Sequence, residues 1–156
     1  MCGIFFSTNN NNITNREMYI NALALMDHRG PDYKDIVFGK DYIIGHTRLA
    51  IIDVSPRANQ PFWDINKRSV ISFNGEIYNY RELQRKLTDI GCSLRTNSDT
   101  EVLLELIIHF GIEETLESVR GMFAFVYYDT LTKRMLAARD HFGQKPFYYL
   151  LLKKKI

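Results

Sequence analysis

Residues 98–111 read Ser98-Asp99-Thr100-Glu101-Val102-Leu103-Leu104-Glu105-Leu106-Ile107-Ile108-His109-Phe110-Gly111. Ser98 with Glu101 three positions on has the form of a capping box, so a helix starts here. The run 102–108 is apolar nearly all round, so the helix is expected to be buried on more than one side. Gly111 is expected to stop it. Two further helices show the same grammar. Thr14 and Glu17 frame one with Met18, Ala22, Leu25 and Met26 on one face, and Asn79 and Glu82 frame another with Leu83, Leu87 and Ile90, stopped at Gly91. Around the helices lie runs rich in Ile, Val, Phe and Tyr, expected as strands at 3–7, 35–38, 42–52, 69–73, 122–128, 134–138 and 146–152. The tract 9–12, four asparagines, reads as a polar loop. The order is mixed and not a regular βαβ alternation, which predicts an α+β fold with helices packed on largely antiparallel sheets.

Composition narrows the function. At 156 residues the chain has the length of one domain, expected to span 1–156. With 46% hydrophobic residues it needs no metal or disulfide staple to hold a core. Lys and Arg total 20 against 18 Asp and Glu, and the one basic cluster is Lys153-Lys154-Lys155, so no nucleic-acid partner is expected. No apolar run approaches the ~18–20 residues of a membrane span, and the apolar start is too short for a signal peptide, so no membrane partner is expected. Two cysteines make no disulfide framework, which points to a reducing compartment, the cytoplasm. His28, His46, His109 and His141 show no metal-ligand spacing, and there is no phosphate-binding glycine loop.

Four positions carry possible chemistry. Cys2, once Met1 is removed, joins a thiol and a free α-amine in one residue, and the amine can take the proton of its own thiol. The bland alternative is a buried cysteine in a first strand. Asn74-Gly75 follows a strand; it reads either as a tight turn or as a pair of donors, carboxamide and glycine N–H, forming an oxyanion hole. Arg48 stands in an otherwise apolar run and suits either an internal ion pair, an edge strand, or a ligand carboxylate held bidentately. Asp99, just after the Ser98 cap, serves either the helix dipole or a ligand ammonium group. Glu113 and Glu114 read as a solvated helix face, and Tyr127-Tyr128 and Tyr148-Tyr149 as strand packing.

Seven blocks in order carry a resemblance over nearly the whole chain. They are Met1-Cys2-Gly3-Ile4-Phe5, His28-Arg29-Gly30-Pro31-Asp32, Gly45-His46-Thr47-Arg48-Leu49-Ala50-Ile51-Ile52-Asp53, Phe73-Asn74-Gly75-Glu76-Ile77-Tyr78-Asn79, Thr96-Asn97-Ser98-Asp99-Thr100-Glu101-Val102, Gly121-Met122-Phe123-Ala124-Phe125 and Ala138-Arg139-Asp140-His141-Phe142-Gly143-Gln144-Lys145-Pro146-Phe147-Tyr148-Tyr149. The chain resembles the N-terminal glutaminase domain of glutamine-hydrolysing asparagine synthetases, class II glutamine amidotransferases of the N-terminal-nucleophile hydrolase type. The resemblance implies a four-layer αββα sandwich. It implies that Cys2 attacks the glutamine carboxamide, that Asn74 and Gly75 hold the oxyanion, that Arg48 holds the α-carboxylate and Asp99 the α-ammonium, and that Leu49, Ile51, Ile52 and Glu76 line the same pocket. Ammonia would pass to a synthetase domain or subunit that amidates aspartate. No cofactor is implied for this chain, since ATP and magnesium belong to that synthetase domain.

Two departures stand beside the resemblance. Phe6 occupies a position where the family usually has glycine, and no S-G-G-x-D-S loop for ATP is present, so the domain reads as C-terminally short with the synthetase domain absent. The blocks 28–32 and 139–149 are expected to be structural or to face that partner. The alternative to a glutaminase is a non-catalytic glutamine-binding or structural remnant. An amidase for another amide is disfavoured, because Arg48 and Asp99 would then meet no opposite charge.

Overall fold

The computed structural model describes residues 1–8 and 15–151. Strands β1 (Gly3–Thr8), β2 (Tyr33–Phe38) and β3 (Tyr42–Arg48) form one antiparallel sheet in the order β1-β3-β2. Strands β4 (Phe62–Trp63), β5 (Ser69–Ile77), β6 (Gly121–Asp129) and β7 (Arg134–Arg139) form a second, also antiparallel, in the order β4-β5-β6-β7. Helix α1 (Arg16–Ala24) covers the first sheet; helices α2 (Tyr80–Asp89) and α3 (Asp99–Ser118) cover the second. The two sheets face each other through β1, β3, β5 and β6, which gives the four layers αββα.

Strand alternation builds these layers. In β5, Ile71 and Phe73 join Phe123, Phe125 and Tyr127 of β6 in the main core against α2 and α3. The intervening Val70 and Tyr128 point the other way and pack on Tyr42 and Ile44 of β3. His46 lies on that same inter-sheet face, its Nδ1 3.0 Å from Ser72 Oγ, and complete burial lowers its pKa to about 3, so it is neutral. On the opposite face of β3, Gly45 leaves room for Leu23, the buried residue of α1.

Some helix ends follow their sequence signals and others depart from them. α1 is capped by Asn15, whose carboxamide oxygen accepts from Met18 N; Thr14 and the tract 9–12 lie outside the described residues. Met18 and Leu25 are exposed, so the buried stripe of α1 is Leu23 and not the face expected. Asn79 does not cap α2. Its Nδ2 donates to Ser118 O and its Oδ1 accepts from Arg120 N, tying the start of α2 to the end of α3. Gly91 does terminate α2: its N–H donates to Thr88 O, that of Cys92 to Leu87 O, and its φ is +86°, a Schellman motif. Ser98 caps α3 through Thr100 N, while Glu101 turns away to other amides. Gly111, at φ +80°, is non-helical and ends the first helical run of α3 as expected; a second run follows to Ser118.

Three strand expectations are corrected. Asn74-Gly75 is no turn: β5 runs on to Ile77 in register with β6, Gly75 opposite Phe123. The run 42–52 leaves the sheet after Arg48, where Asp53 adopts a left-handed φ of 49°. Residues 146–151 form no strand; β7 is the last one among the described residues, and Tyr148 and Tyr149 are exposed instead of packed.

Candidate active site

Every residue expected at the site meets at one cavity of about 230 Å³. Cys2, Arg48, Leu49, Ile51, Ile52, Asn74, Gly75, Glu76 and Asp99 all line it, together with Met1, Gln60, Thr100 and Lys145 among others. The cavity opens where both sheets and the start of α3 come together.

Cys2 immediately precedes β1 and is pinned from two sides. Arg29 Nε donates to its carbonyl at 3.1 Å, and Leu49 N–H points at its sulfur at 3.4 Å. Behind it, Gly3 N–H donates to Thr47 Oγ1, and a Cβ at Gly3 would come within 2.6 Å of that hydroxyl. Burial pushes the Cys2 thiol up, while the Leu49 N–H, the chain's terminal ammonium and Arg48 pull it down. The net shift is upward, so the resting group is a thiol and needs a base to become a nucleophile.

The β5 edge supplies the donors. Phe123 directs its N–H to the Asp140 carboxylate and its C=O to Asp140 N–H. Gly75, paired with Phe123, is therefore in a non-hydrogen-bonded pair, and its N–H points to the opposite edge. Along that edge Phe73 N–H donates to Gln60 Oε1 at 2.7 Å and Ile77 N–H to Asp99 Oδ2 at 3.0 Å. Gly75 N–H lies between these two, in the cavity wall, and takes no protein partner among the described residues. The buried Asn74 carboxamide is likewise without one. Two neighbouring unpaired donors beside a thiol are the geometry that stabilises an oxyanion. Gly75 has no alternative residue: a Cβ there would sit 2.3 Å from Met122 O.

Arg48 and Asp99 place opposite charges on the cavity wall. Arg48 ends the central strand β3, so it is no edge-strand arginine, and it pairs with no carboxylate among the described residues. Instead Asp53 O, Ser55 O and Asn59 Oδ1 accept from it, fixing its plane while two of its five N–H donors stay unassigned. Asp99 is buried and its pKa is pushed up to about 6 by burial, with Glu76 adding to the rise, although the N–H groups of Ile77 and Thr100 favour its charge. Asp53 joins the two: its carboxylate accepts from Ser55 N and from Asn97 N, locking the Arg48 loop to the segment that leads into α3.

Three contributors escape sequence reasoning. Gln60 acts as a surrogate strand residue beside Phe73, also donating from Nε2 to Phe73 O, and no motif signals this. Arg29 belongs to the block 28–32, expected as structural or partner-facing, yet it holds the nucleophile's carbonyl. Lys145, from the block 139–149, is buried in the cavity wall with Nζ 3.5 Å from Met1 Sδ. Asp140 puts it there, accepting from the N–H groups of Phe142, Gln144 and Lys145. Burial opposes the Asp140 charge, but these amides prevail and hold its pKa low.

Comparison with known proteins places the chain in a family. A family model described as a glutamine amidotransferase domain matches residues 1–156. Asparagine synthetase B (glutamine-hydrolysing) of Escherichia coli K12 is 39% identical over 150 residues, 95% of this chain and 26% of that protein. Asparagine synthetase (glutamine-hydrolysing) 2 of Arabidopsis thaliana is 39% identical over the same length, 95% of this chain and 25% of its own. Amidase chry2 of Gibberella zeae is 38% identical over 137 residues, 86% and 20%. Among solved structures, glutamine phosphoribosylpyrophosphate amidotransferase from B. subtilis, complexed with ADP and GMP, superposes with a TM-score of 0.54 at 29% identity, covering 66% of this chain and 24% of that one. The chain thus spans about a quarter of the length of the curated relatives it matches.

Proposed function

The chain belongs to the glutamine amidotransferase domain family, and from that premise we propose that its cavity hydrolyses free glutamine to glutamate and ammonia with Cys2 as the nucleophile. The observation that carries the reading is the convergence on one cavity of a thiol, two unpaired oxyanion donors and an opposed pair of charges. Arg48 holds the α-carboxylate of glutamine and Asp99 its α-ammonium, which sets the side-chain amide in front of Cys2. Leu49, Ile51, Ile52 and Glu76 complete the wall. With Met1 removed, the Cys2 α-amine accepts the thiol proton, and Sγ attacks the carboxamide carbon. Asn74 Nδ2 and Gly75 N–H donate to the oxyanion. The intermediate collapses, the α-ammonium returns its proton to the leaving nitrogen, and ammonia departs from a γ-glutamyl thioester. Water then attacks the thioester through a second oxyanion, releasing glutamate and restoring the thiol.

With Met1 attached, the Cys2 nitrogen is an amide and no base, and Met1 itself stands in the cavity wall. That form of the same site binds glutamine without turnover. The ammonia is proposed to pass to a synthetase domain or subunit, with aspartate as acceptor and with ATP and magnesium bound there. The exposed apolar residues Phe142, Tyr148, Tyr149 and Leu150 support such a partner face. No helix among the described residues is long and apolar enough to cross a membrane, and the free thiols Cys2 and Cys92 fit work in the cytoplasm.

The test is glutamate release by Met1-processed chain and by its Cys2→Ala variant, with glutamine binding measured on both. The variant is expected to lose turnover and keep binding; turnover surviving in Cys2→Ala would overturn the mechanism.

A further inference from the structure

On the far side of the second sheet, Cys92, Glu105 and His109 bring a thiol, a carboxylate and an imidazole together, and none of the three lines the glutamine cavity. Glu105 and His109 are four apart on one face of α3, so their side chains meet. Cys92 reaches them because the Schellman turn closing α2 throws it back across the α2–α3 hairpin. Cys92 Sγ is 3.8 Å from Glu105 Oε2, and His109 Nε2 is 3.6 Å from the same oxygen; all three donors lie within 4.8 Å of one another. A tetrahedral zinc ion with ordinary bond lengths to S, N and O has ligand–ligand edges of about 3.4–3.6 Å. Two of the three edges are therefore already close to the required length. The third needs only a small swing of His109, which is partly exposed and free to make it.

We propose that Cys92, Glu105 and His109 bind a divalent transition-metal cation of the zinc class, with water in the fourth position. The donor set selects the ion. A thiolate with an imidazole favours zinc, cobalt or nickel over magnesium or calcium, which prefer all-oxygen shells. On binding, the Cys92 thiol releases its proton to solvent, His109 offers a neutral Nε2, and the two anionic ligands balance the ion's charge. The ion ties the turn after α2 to the middle of α3, so its effect is on stability of this hairpin and not on glutamine chemistry.

Zinc chloride titrated into the metal-free chain, in competition with a chromophoric chelator, tests the site, and cobalt(II) spectra report its ligands. One zinc per chain is expected, with a thiolate-to-cobalt charge-transfer band, a tetrahedral cobalt spectrum and a zinc-dependent rise in Tm. Cys92→Ser and His109→Gln should each weaken zinc binding about tenfold or more and abolish the rise in Tm, while Cys2→Ala keeps both. His109→Gln alters a partly exposed side chain, so its metal-free Tm and its glutaminase rate should match the parent chain, which separates this site from the glutamine cavity. Absence of stoichiometric zinc binding, or binding that survives both Cys92→Ser and His109→Gln, would overturn the proposal.

Discussion

Gly75 is the position where a single atom decides the site. Its N–H faces the cavity because its pair with Phe123 is a non-hydrogen-bonded one, and β5 and β6 lie so close there that a methyl group would meet Met122 O at 2.3 Å. Gly75→Ala must separate the strands and turn that N–H away. The expected result is a fall in kcat of about 10²–10³, the usual effect of losing one oxyanion donor, read in a steady-state glutamate assay; a rate near that of the parent would remove Gly75 from the oxyanion hole. Asp99 gives a second prediction at the same scale. Its pKa of about 6 belongs to the empty cavity. Glutamine's ammonium selects the ionised form, so affinity should be full well above pH 6 and fall about tenfold per unit below it. Calorimetry on the Cys2→Ala chain isolates this from turnover, and a flat profile between pH 4 and pH 7, a window of about three units, would contradict the ammonium contact. For stability the sign is opposite. A carboxyl whose folded pKa is raised favours the folded state at low pH, so the Asp99 contribution declines as pH rises from its unfolded value to about 6.

At the scale of elements, the start of α3 depends on Glu101 more than on its cap. This buried carboxylate accepts from Arg95 N, Arg95 Nε, Thr96 N and Thr96 Oγ1. Glu101→Ala leaves the buried Thr96 N–H and the Thr96 hydroxyl proton without acceptors, and about 3 kcal/mol of stability should be lost, as measured by urea unfolding. A loss below about 0.5 kcal/mol, the level of an ordinary surface change, would show that water replaces it. The same element shows what local sequence can convey. Ser98 and Gly91 mark real helix ends because capping and left-handed closure are local chemistry. Asn79 and Glu101 match the same patterns but direct their side chains elsewhere: Asn79 to Ser118 O and Arg120 N across the hairpin, a choice fixed by tertiary packing, and Glu101 to the preceding segment at Arg95 and Thr96. The Asn-Gly pair favours a turn locally, yet the nine-residue pairing of β5 with β6 holds it in a strand.

For the whole molecule, alternation along β3, β5 and β6 places one face on the helices and the other between the sheets; the α+β class was legible from the mixed element order, the four layers only through the resemblance. The site residues were legible as a set only through the resemblance: taken singly, Cys2, Asn74-Gly75, Arg48 and Asp99 each also suit a structural role, as buried cysteine, turn, ion pair and helix-dipole carboxylate. Gln60 and Lys145 were not, since their roles arise only when the loops before β4 and after β7 close over the cavity. The side chains of Phe142, Tyr148, Tyr149, Leu150 and Leu151 are exposed and lie outside the core. Phe142→Ser with Tyr148→Ser should therefore leave folding stability within about 0.5 kcal/mol, as measured by urea unfolding; a large loss of stability would place these side chains in the fold itself.

The central claim is that Cys2, freed of Met1, is the nucleophile of a glutamine site. The most direct measurement is the intact mass of the purified chain before and after exposure to diazo-oxo-norleucine, a glutamine-like electrophile, with and without excess glutamine. The account predicts a chain lacking Met1 that gains one adduct, located on Cys2 and prevented by glutamine. A processed chain that gains no adduct, or gains one on Cys92 that glutamine does not prevent, would contradict it.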